Sequence, residues 1–188
     1  MRISGGGARG IGLAVPKGEL VRPATDGLRQ AVFSSLGART AGARFLDLFA
    51  GSGAYGLEAL SRGAVGGTWV EKNAKAAACL RGNVSAVCRS LGRGEADLEV
   101  LEGDAVSISP EFIGRADLVF ADPPYEIIGE VAPVLFDRLA SALDRRTDPL
   151  FVFELPGGLE LEHPGWTCIK RLGRGARQPT AAFFRPIP

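Results

Sequence analysis

Five strand-length apolar runs separated by stretches of helical patterning constrain this chain more than any other feature. They fall at 44–49, 68–70, 98–101, 117–121 and 150–154, and helices fit the gaps at about 53–62, 73–91 and 129–144, with a weaker turn around 105–113. Strand and helix alternating in this way predict a doubly wound α/β fold, because a parallel neighbour is reached only through a crossover. Two further runs, 166–172 and 180–184, lie close enough in sequence to pair as an antiparallel hairpin. The expectation is a mostly parallel seven-stranded sheet with an antiparallel C-terminal edge.

Ahead of the sheet, Gly5-Gly6-Gly7-Ala8-Arg9-Gly10 is flanked by apolar residues around Ile3 and Leu13. This reads as a small basic hairpin arm over residues 1–22. A helix over 25–36, capped by Thr25 or Asp26, leads into the first core strand, and residues 23–188 form one domain. With 188 residues, 46% apolar and 23% charged, the chain can bury one sizeable core and little more. No stretch approaches the ~18 apolar residues of a membrane span, and the N-terminus lacks the apolar centre of a signal peptide, so a cytoplasmic protein is expected. Cys79, Cys88 and Cys168 are odd in number and lack metal-ligand spacing. Their apolar surroundings predict reduced, buried thiols and no metal site. His163, the only histidine, falls in a surface loop, which leaves a Ser-His-Asp or His-metal scheme little to work with.

Net charge is informative only when the chain is divided. Residues 1–46 carry seven Arg/Lys against two Asp/Glu, residues 47–163 ten against nineteen, and residues 164–188 five against none. Basic ends around an acidic middle fit a polyanion-binding rim, since phosphate contacts come from clustered Arg and Lys. Basic termini that merely solvate the chain ends would give the same counts, and charge alone does not choose.

The sharpest local motif is Asp47-Leu48-Phe49-Ala50-Gly51-Ser52-Gly53, a strand that runs into Gly-x-Gly and then a helix. Glycines there let a ligand approach the backbone, and a helix N-terminus offers unpaired N–H groups. Glu71 follows about twenty residues later at the end of the next strand, where a carboxylate can accept both ribose hydroxyls. Motif and context together favour an adenosine ligand over a tight structural turn. Asp47 narrows the ligand further, because a carboxylate facing the loop repels a pyrophosphate and favours a sulfonium or an α-ammonium group. Asp104, after the third strand, has two readings: acceptor for an adenine amine, or cap of a turn.

The second motif is Asp122-Pro123-Pro124-Tyr125, directly after a core strand. Two prolines fix an extended turn and remove two N–H donors, so the polar groups left to face a ligand are mostly acceptors. An exocyclic amine on a base is planar and a poor nucleophile. The Asp122 carboxylate and the Pro123 carbonyl can each take one of its N–H bonds and draw the nitrogen toward tetrahedral geometry, while Tyr125 supplies a π-face for the base. An ordinary Pro-Pro turn is the alternative reading.

Asp-x-x-Ala-Gly-Ser-Gly, Glu71 and Asp-Pro-Pro-Tyr together resemble the Rossmann-like amino-methyltransferases that use S-adenosylmethionine. Arg2, Ile3, Gly5 and Gly6, then Arg9-Gly10, Leu13, Arg22-Pro23-Ala24-Thr25-Asp26 and Arg29, with 56–64 further on, resemble more narrowly the RsmD-like ribosomal RNA guanine-N2 methyltransferases, over residues 1 to about 154. The resemblance implies methylation of the N2 amine of guanine 966 in 16S ribosomal RNA, presented by the small ribosomal subunit or an assembly intermediate to a monomeric enzyme. It implies that Asp47, Ala50, Gly51, Gly53, Glu71, Lys72, Asp104 and Ala105 line the cofactor site, and Asp122, Pro123 and Tyr125 the target amine. By the same likeness Arg2, Arg9, Arg22, Thr25 and Arg29 lie on the substrate side. The chain departs from the family at Ile11-Gly12 and Gly27, where basic residues are common, and in the turn at 173–179. Alternatives are a methyltransferase of DNA adenine, transfer RNA or a protein amine, and a catalytically silent RNA-binding assembly factor.

Overall fold

The computed structural model describes residues 1–15, 23–145, 148–173, 175–176 and 178–187, and of residues 23–25 the backbone alone. Seven strands, β1 (Arg44–Leu48), β2 (Gly66–Glu71), β3 (Leu98–Glu102), β4 (Leu118–Ala121), β5 (Leu150–Pro156), β6 (Trp166–Leu172) and β7 (Pro179–Pro186), form one sheet in the order β3-β2-β1-β4-β5-β7-β6. The first five pair in parallel, and β7 joins β5 and β6 antiparallel. This is the expected Rossmann-like sheet with its antiparallel edge. Because the chain builds outward through β2 and β3 and then returns to β4 and β5 on the other side of β1, the order reverses between β1 and β4. Ligands of open α/β sheets bind outside the carboxyl ends of the strands at such a reversal. Both sequence motifs, 47–53 and 122–125, emerge there.

Burial on both faces follows from strict alternation along the strands. Phe45, Leu118, Phe120, Leu150 and Val152 face one apolar cluster, whereas Leu46, Leu48, Val119, Phe151 and Phe153 face the other. The first face is covered by α1 (Pro23–Leu36), α2 (Ala54–Ser61) and α3 (Ala74–Leu91), the second by α4 (Pro110–Gly114) and α5 (Ile128–Ala142). Three expectations need correction. Helix α1 begins at Pro23, so Thr25 and Asp26 lie inside its first turn and do not cap it; proline's fixed φ suits that first position. Strand β2 begins at Gly66, not 68. A Cβ at Gly67 would stand 2.5 Å from the Phe45 carbonyl oxygen, so the glycine lets β1 and β2 close up. Cys168 is exposed on the edge strand β6, while Cys88 is buried and Cys79 intermediate.

The N-terminal arm does not project. Arg2 and Gly12 form an antiparallel bridge, and Ile3, Ala8 and Leu13 enter the core. The Gly7 amide donates to the Ser61 carbonyl at 2.7 Å, the Ala8 amide to the Ser61 hydroxyl at 3.0 Å, and a Cβ at Gly6 would overlap the Ser61 carbonyl. Beneath the arm Glu58, whose side chain is fully buried, accepts from the Ser4 amide (2.8 Å) and hydroxyl (2.7 Å), Arg62 (2.8 Å) and Arg29 (3.4 Å). Burial by itself would raise the Glu58 carboxyl, but these donors and the Arg29 charge hold it below its ordinary value.

Candidate active site

At the end of β1 the backbone turns sharply: Phe49 adopts φ +58°, Gly51 +52° and Gly53 +81°. Positive φ at a phenylalanine is uncommon and concentrates at functional sites. The turn is held by the Ala50 amide on the Val70 carbonyl (3.0 Å) and by Glu71, whose carboxylate accepts the Gly51 amide at 2.7 Å and the Asn73 amide at 2.7 Å. Glu71 therefore ties the β1 and β2 turns together. Each of its oxygens keeps lone-pair capacity for a further donor. Asp47 is buried beneath the turn and accepts the Gly56 amide at 2.9 Å. Burial pushes its carboxyl well above the ordinary value; the Gly56 amide opposes this, and the Asp122 and Glu71 charges add to it. A cation placed beside Asp47 would reverse that shift.

After β3, Asp104 accepts the Val106 amide at 3.2 Å, which caps the 3-10 turn Ala105–Ser107, and also the Lys72 ammonium at 2.8 Å. The capping reading of Asp104 is thus realised, and the residue faces the cleft as well. After β4, Pro123 is buried, Asp122 and Tyr125 are half-buried, and Tyr125 opens the single 3-10 turn Tyr125–Ile127 that leads into α5.

These turns enclose one cleft of about 1110 Å³. Of the residues expected at a cofactor site, Asp47, Ala50, Gly51, Glu71, Lys72, Asp104 and Ala105 line it, as do Asp122, Pro123 and Tyr125. Gly53 does not. A Cβ there would overlap the Leu80 side chain, so its absence serves the packing of α2 on α3. Among the expected substrate contacts, Arg2 and Arg9 are exposed on the arm outside the cleft. Arg29 reaches the cleft wall, but only 1% of it is exposed, and its guanidinium is engaged with Glu58 and, at 2.6 Å, the Arg2 carbonyl. Arg22 and the side chain of Thr25 lie outside the described residues.

Among the wall residues that sequence reasoning missed, Phe49, Tyr55 and Glu154 bear most on the site. Phe49 was hidden because nothing in an apolar run signals positive φ. Tyr55 and Glu154 form a buried pair in which the hydroxyl donates to the carboxylate at 2.8 Å, with Tyr55 stacked on Phe120 at a centroid distance of 5.3 Å. Glu154 did carry a signal, since an acid ends the apolar run of β5 just as Asp122 follows that of β4. Among the described residues no cluster of His, Cys, Asp and Glu could hold a metal ion, and no helix is long and apolar enough to cross a membrane.

Residues 1–157 match the family described as conserved hypothetical protein 95. The chain is 39% identical over 125 residues to ribosomal RNA small subunit methyltransferase D of Escherichia coli, a match that covers 66% of this chain and 60% of that protein, less than two thirds of its length. Among solved structures it is similar to the Escherichia coli protein yhhF, with 28% identity, a TM-score of 0.78 and coverage of 99% of this chain and 97% of the other. It is also similar to a hypothetical protein of Thermus thermophilus, with 32% identity, a TM-score of 0.73 and coverage of 97% and 98%. Fold, motifs and these likenesses agree: the chain belongs to the conserved hypothetical protein 95 family.

Proposed function

We propose that this chain transfers a methyl group from S-adenosylmethionine to the N2 amine of a guanine in small-subunit ribosomal RNA, by family likeness guanine 966 of the 16S chain. The observation that carries this reading is the meeting of two motifs in one cleft: the acceptor-rich turn Asp122-Pro123-Pro124-Tyr125 and the Asp47, Gly51 and Glu71 turn open on the same space at the reversal of strand order. At about 1110 Å³ the cleft has room for a cofactor of nucleoside size. The donor set fits the cofactor. The buried Asp47 carboxyl, whose ionised form a neighbouring cation would stabilise, suits a cationic ligand, and the lone pairs left on Glu71 suit a ribose diol.

When bound, S-adenosylmethionine supplies a methyl group activated by its sulfonium. Asp122 and the Pro123 carbonyl would accept the two N–H bonds of the amine and localise its lone pair toward the methyl group, and the nitrogen would pass one of those protons through Asp122 to solvent. Tyr125 stacks on the base, which must leave its own stack to reach Asp122. Arg2 and Arg9 are exposed on an arm whose first residue, Met1, lines the cleft, a position suited to phosphates flanking the flipped base. Accordingly, Arg9→Ala is expected to weaken RNA binding with every sequence tested and to reduce the slope of log affinity against log salt by about 1, as read in a salt titration. The partner is the small ribosomal subunit or an assembly intermediate, in the cytoplasm.

Cofactor affinity is expected to rise with pH. Because the folded Asp47 holds its proton above the ordinary carboxylate range, a cationic ligand must displace that proton, so affinity climbs toward the raised value and levels off beyond it. In the ligand-free protein the sign for stability is the opposite: Asp47's contribution is fully present below the unfolded carboxyl value and is lost as pH rises through the raised one. Calorimetry in buffers of different ionisation heat measures the proton released, and Asp47→Asn removes it. The reaction itself is tested by incubating small subunits that lack base methylation with methyl-labelled S-adenosylmethionine and digesting the RNA to nucleosides. N2-methylguanosine supports the reading; label in adenosine, in protein or nowhere overturns it.

A further inference from the structure

Glu154 is not used by the reaction as described, yet its placement is specific. It is 3% exposed, lines the cleft, and stands at the carboxyl end of β5. In the β4–β5 register Ala121 is opposite Phe153, so Asp122, the residue that follows β4, leaves the sheet beside Glu154 of β5. The Tyr55 hydroxyl donates to Glu154 at 2.8 Å, and burial, followed by the Glu154 charge, pushes the Tyr55 phenol well above its ordinary value, so Tyr55 remains a donor. A carboxylate fixed by a donor presents acceptors to whatever lies beside Asp122.

Resting on the reading above, we propose that Glu154 is the specificity-determining residue of the site, accepting the N1–H of a guanine whose N2 amine sits at Asp122. Guanine offers two adjacent donors on that edge, the N2 amine and N1–H. Adenine and cytosine pair their exocyclic amine with a ring-nitrogen lone pair, which would face the buried carboxylate acceptor against acceptor. The wrong base therefore loses one hydrogen bond and sets a lone pair against a carboxylate, and both penalties fall on it alone. Asp122 thus holds the amine, and Glu154 decides which base may bring one.

The test replaces the target guanosine of the small subunit with 2-aminopurine riboside, which keeps the amine and lacks N1–H, and compares kcat/KM on the two substrates. The wild-type protein is expected to prefer guanosine by on the order of 10²-fold or more. Glu154→Ala should reduce that preference to within a few-fold, chiefly through loss on guanosine, with affinity for S-adenosylmethionine unchanged. Glu154→Gln, which keeps an acceptor for Tyr55 and so guards against a folding defect, should lose about 10-fold on guanosine alone. Guanosine methylation whose preference over 2-aminopurine is absent in the wild type, or survives in both variants, overturns the role of Glu154 and leaves the guanine reading standing. Methylation of a different nucleoside by the wild type overturns both.

Discussion

Asp122→Ala is expected to lower the rate of methyl transfer by about 10³-fold or more while leaving affinity for S-adenosylmethionine within a few-fold. The exocyclic nitrogen reacts only when its lone pair is withdrawn from the ring, and a preorganised acceptor lost from a water-poor site typically costs about 10²–10³ in rate. Orientation adds to this, because the amine must stand in line with the scissile S–C bond. Asp122 follows β4, whereas the turn residues held by Glu71 follow β1 and β2, so its removal leaves the hydrogen bonds at Gly51 and Asn73 in place. One interaction with the other ligand's side does exist: Asp122 helps to raise the Asp47 carboxyl, so the variant's proton uptake should shift slightly toward the ordinary range. Single-turnover rates and equilibrium binding of the cofactor separate the two effects. Loss of cofactor binding would place Asp122 in the cofactor shell and remove it from the amine.

Glu58→Ala is expected to destabilise the protein by about 3–5 kcal/mol, the cost of removing the buried acid from a network of two arginines and a serine. Arg29 is 1% exposed and keeps only the partly exposed Asp26, at 3.0 Å, as a charged partner when Glu58 is gone. Ser4 and Arg62 lose the same acceptor, and the arm loses its attachment to α2. For a chain of this size that corresponds to a fall in Tm of about 10 °C or more, measurable by calorimetry. The pH dependence carries its own signature. Glu58 is held below its ordinary value in the folded protein, so its contribution is present above the unfolded carboxyl range and is lost as pH falls through the depressed one. The variant should therefore lose less stability on acidification than the wild type. A variant as stable as the wild type would show that the arm is held by Ile3, Ala8 and Leu13 alone.

The succession of strands and helices and the candidate turns after β1 and β4 were legible in the sequence because both depend on short-range patterning. Apolar runs bounded by glycine and acid residues mark β1 and β4 along with the turns that follow them, and an α/β sheet with such turns has only one natural place for a ligand. Residues whose role depends on long-range packing were not legible. Arg29 has the look of a substrate contact in a basic segment, and only the fold brings Glu58, twenty-nine positions away, beneath it. Gly53 belongs to a ligand-binding motif, yet its missing Cβ makes room for Leu80 of α3. Tyr55 and Glu154 are ninety-nine positions apart, and no local periodicity links them. The exposure of Cys168 reflects its position on β6 at the sheet edge, which composition does not reveal.

The central claim is that one cleft brings a cofactor methyl group to a single guanine amine, and it is tested most directly by the stoichiometry and position of methylation on small subunits that lack the modification. Label should saturate at one methyl group per subunit, with mass spectrometry of nuclease fragments placing it on the N2 amine of guanine 966. Saturation at several sites, or at one site on another base, would contradict the account even if S-adenosylmethionine is bound and consumed.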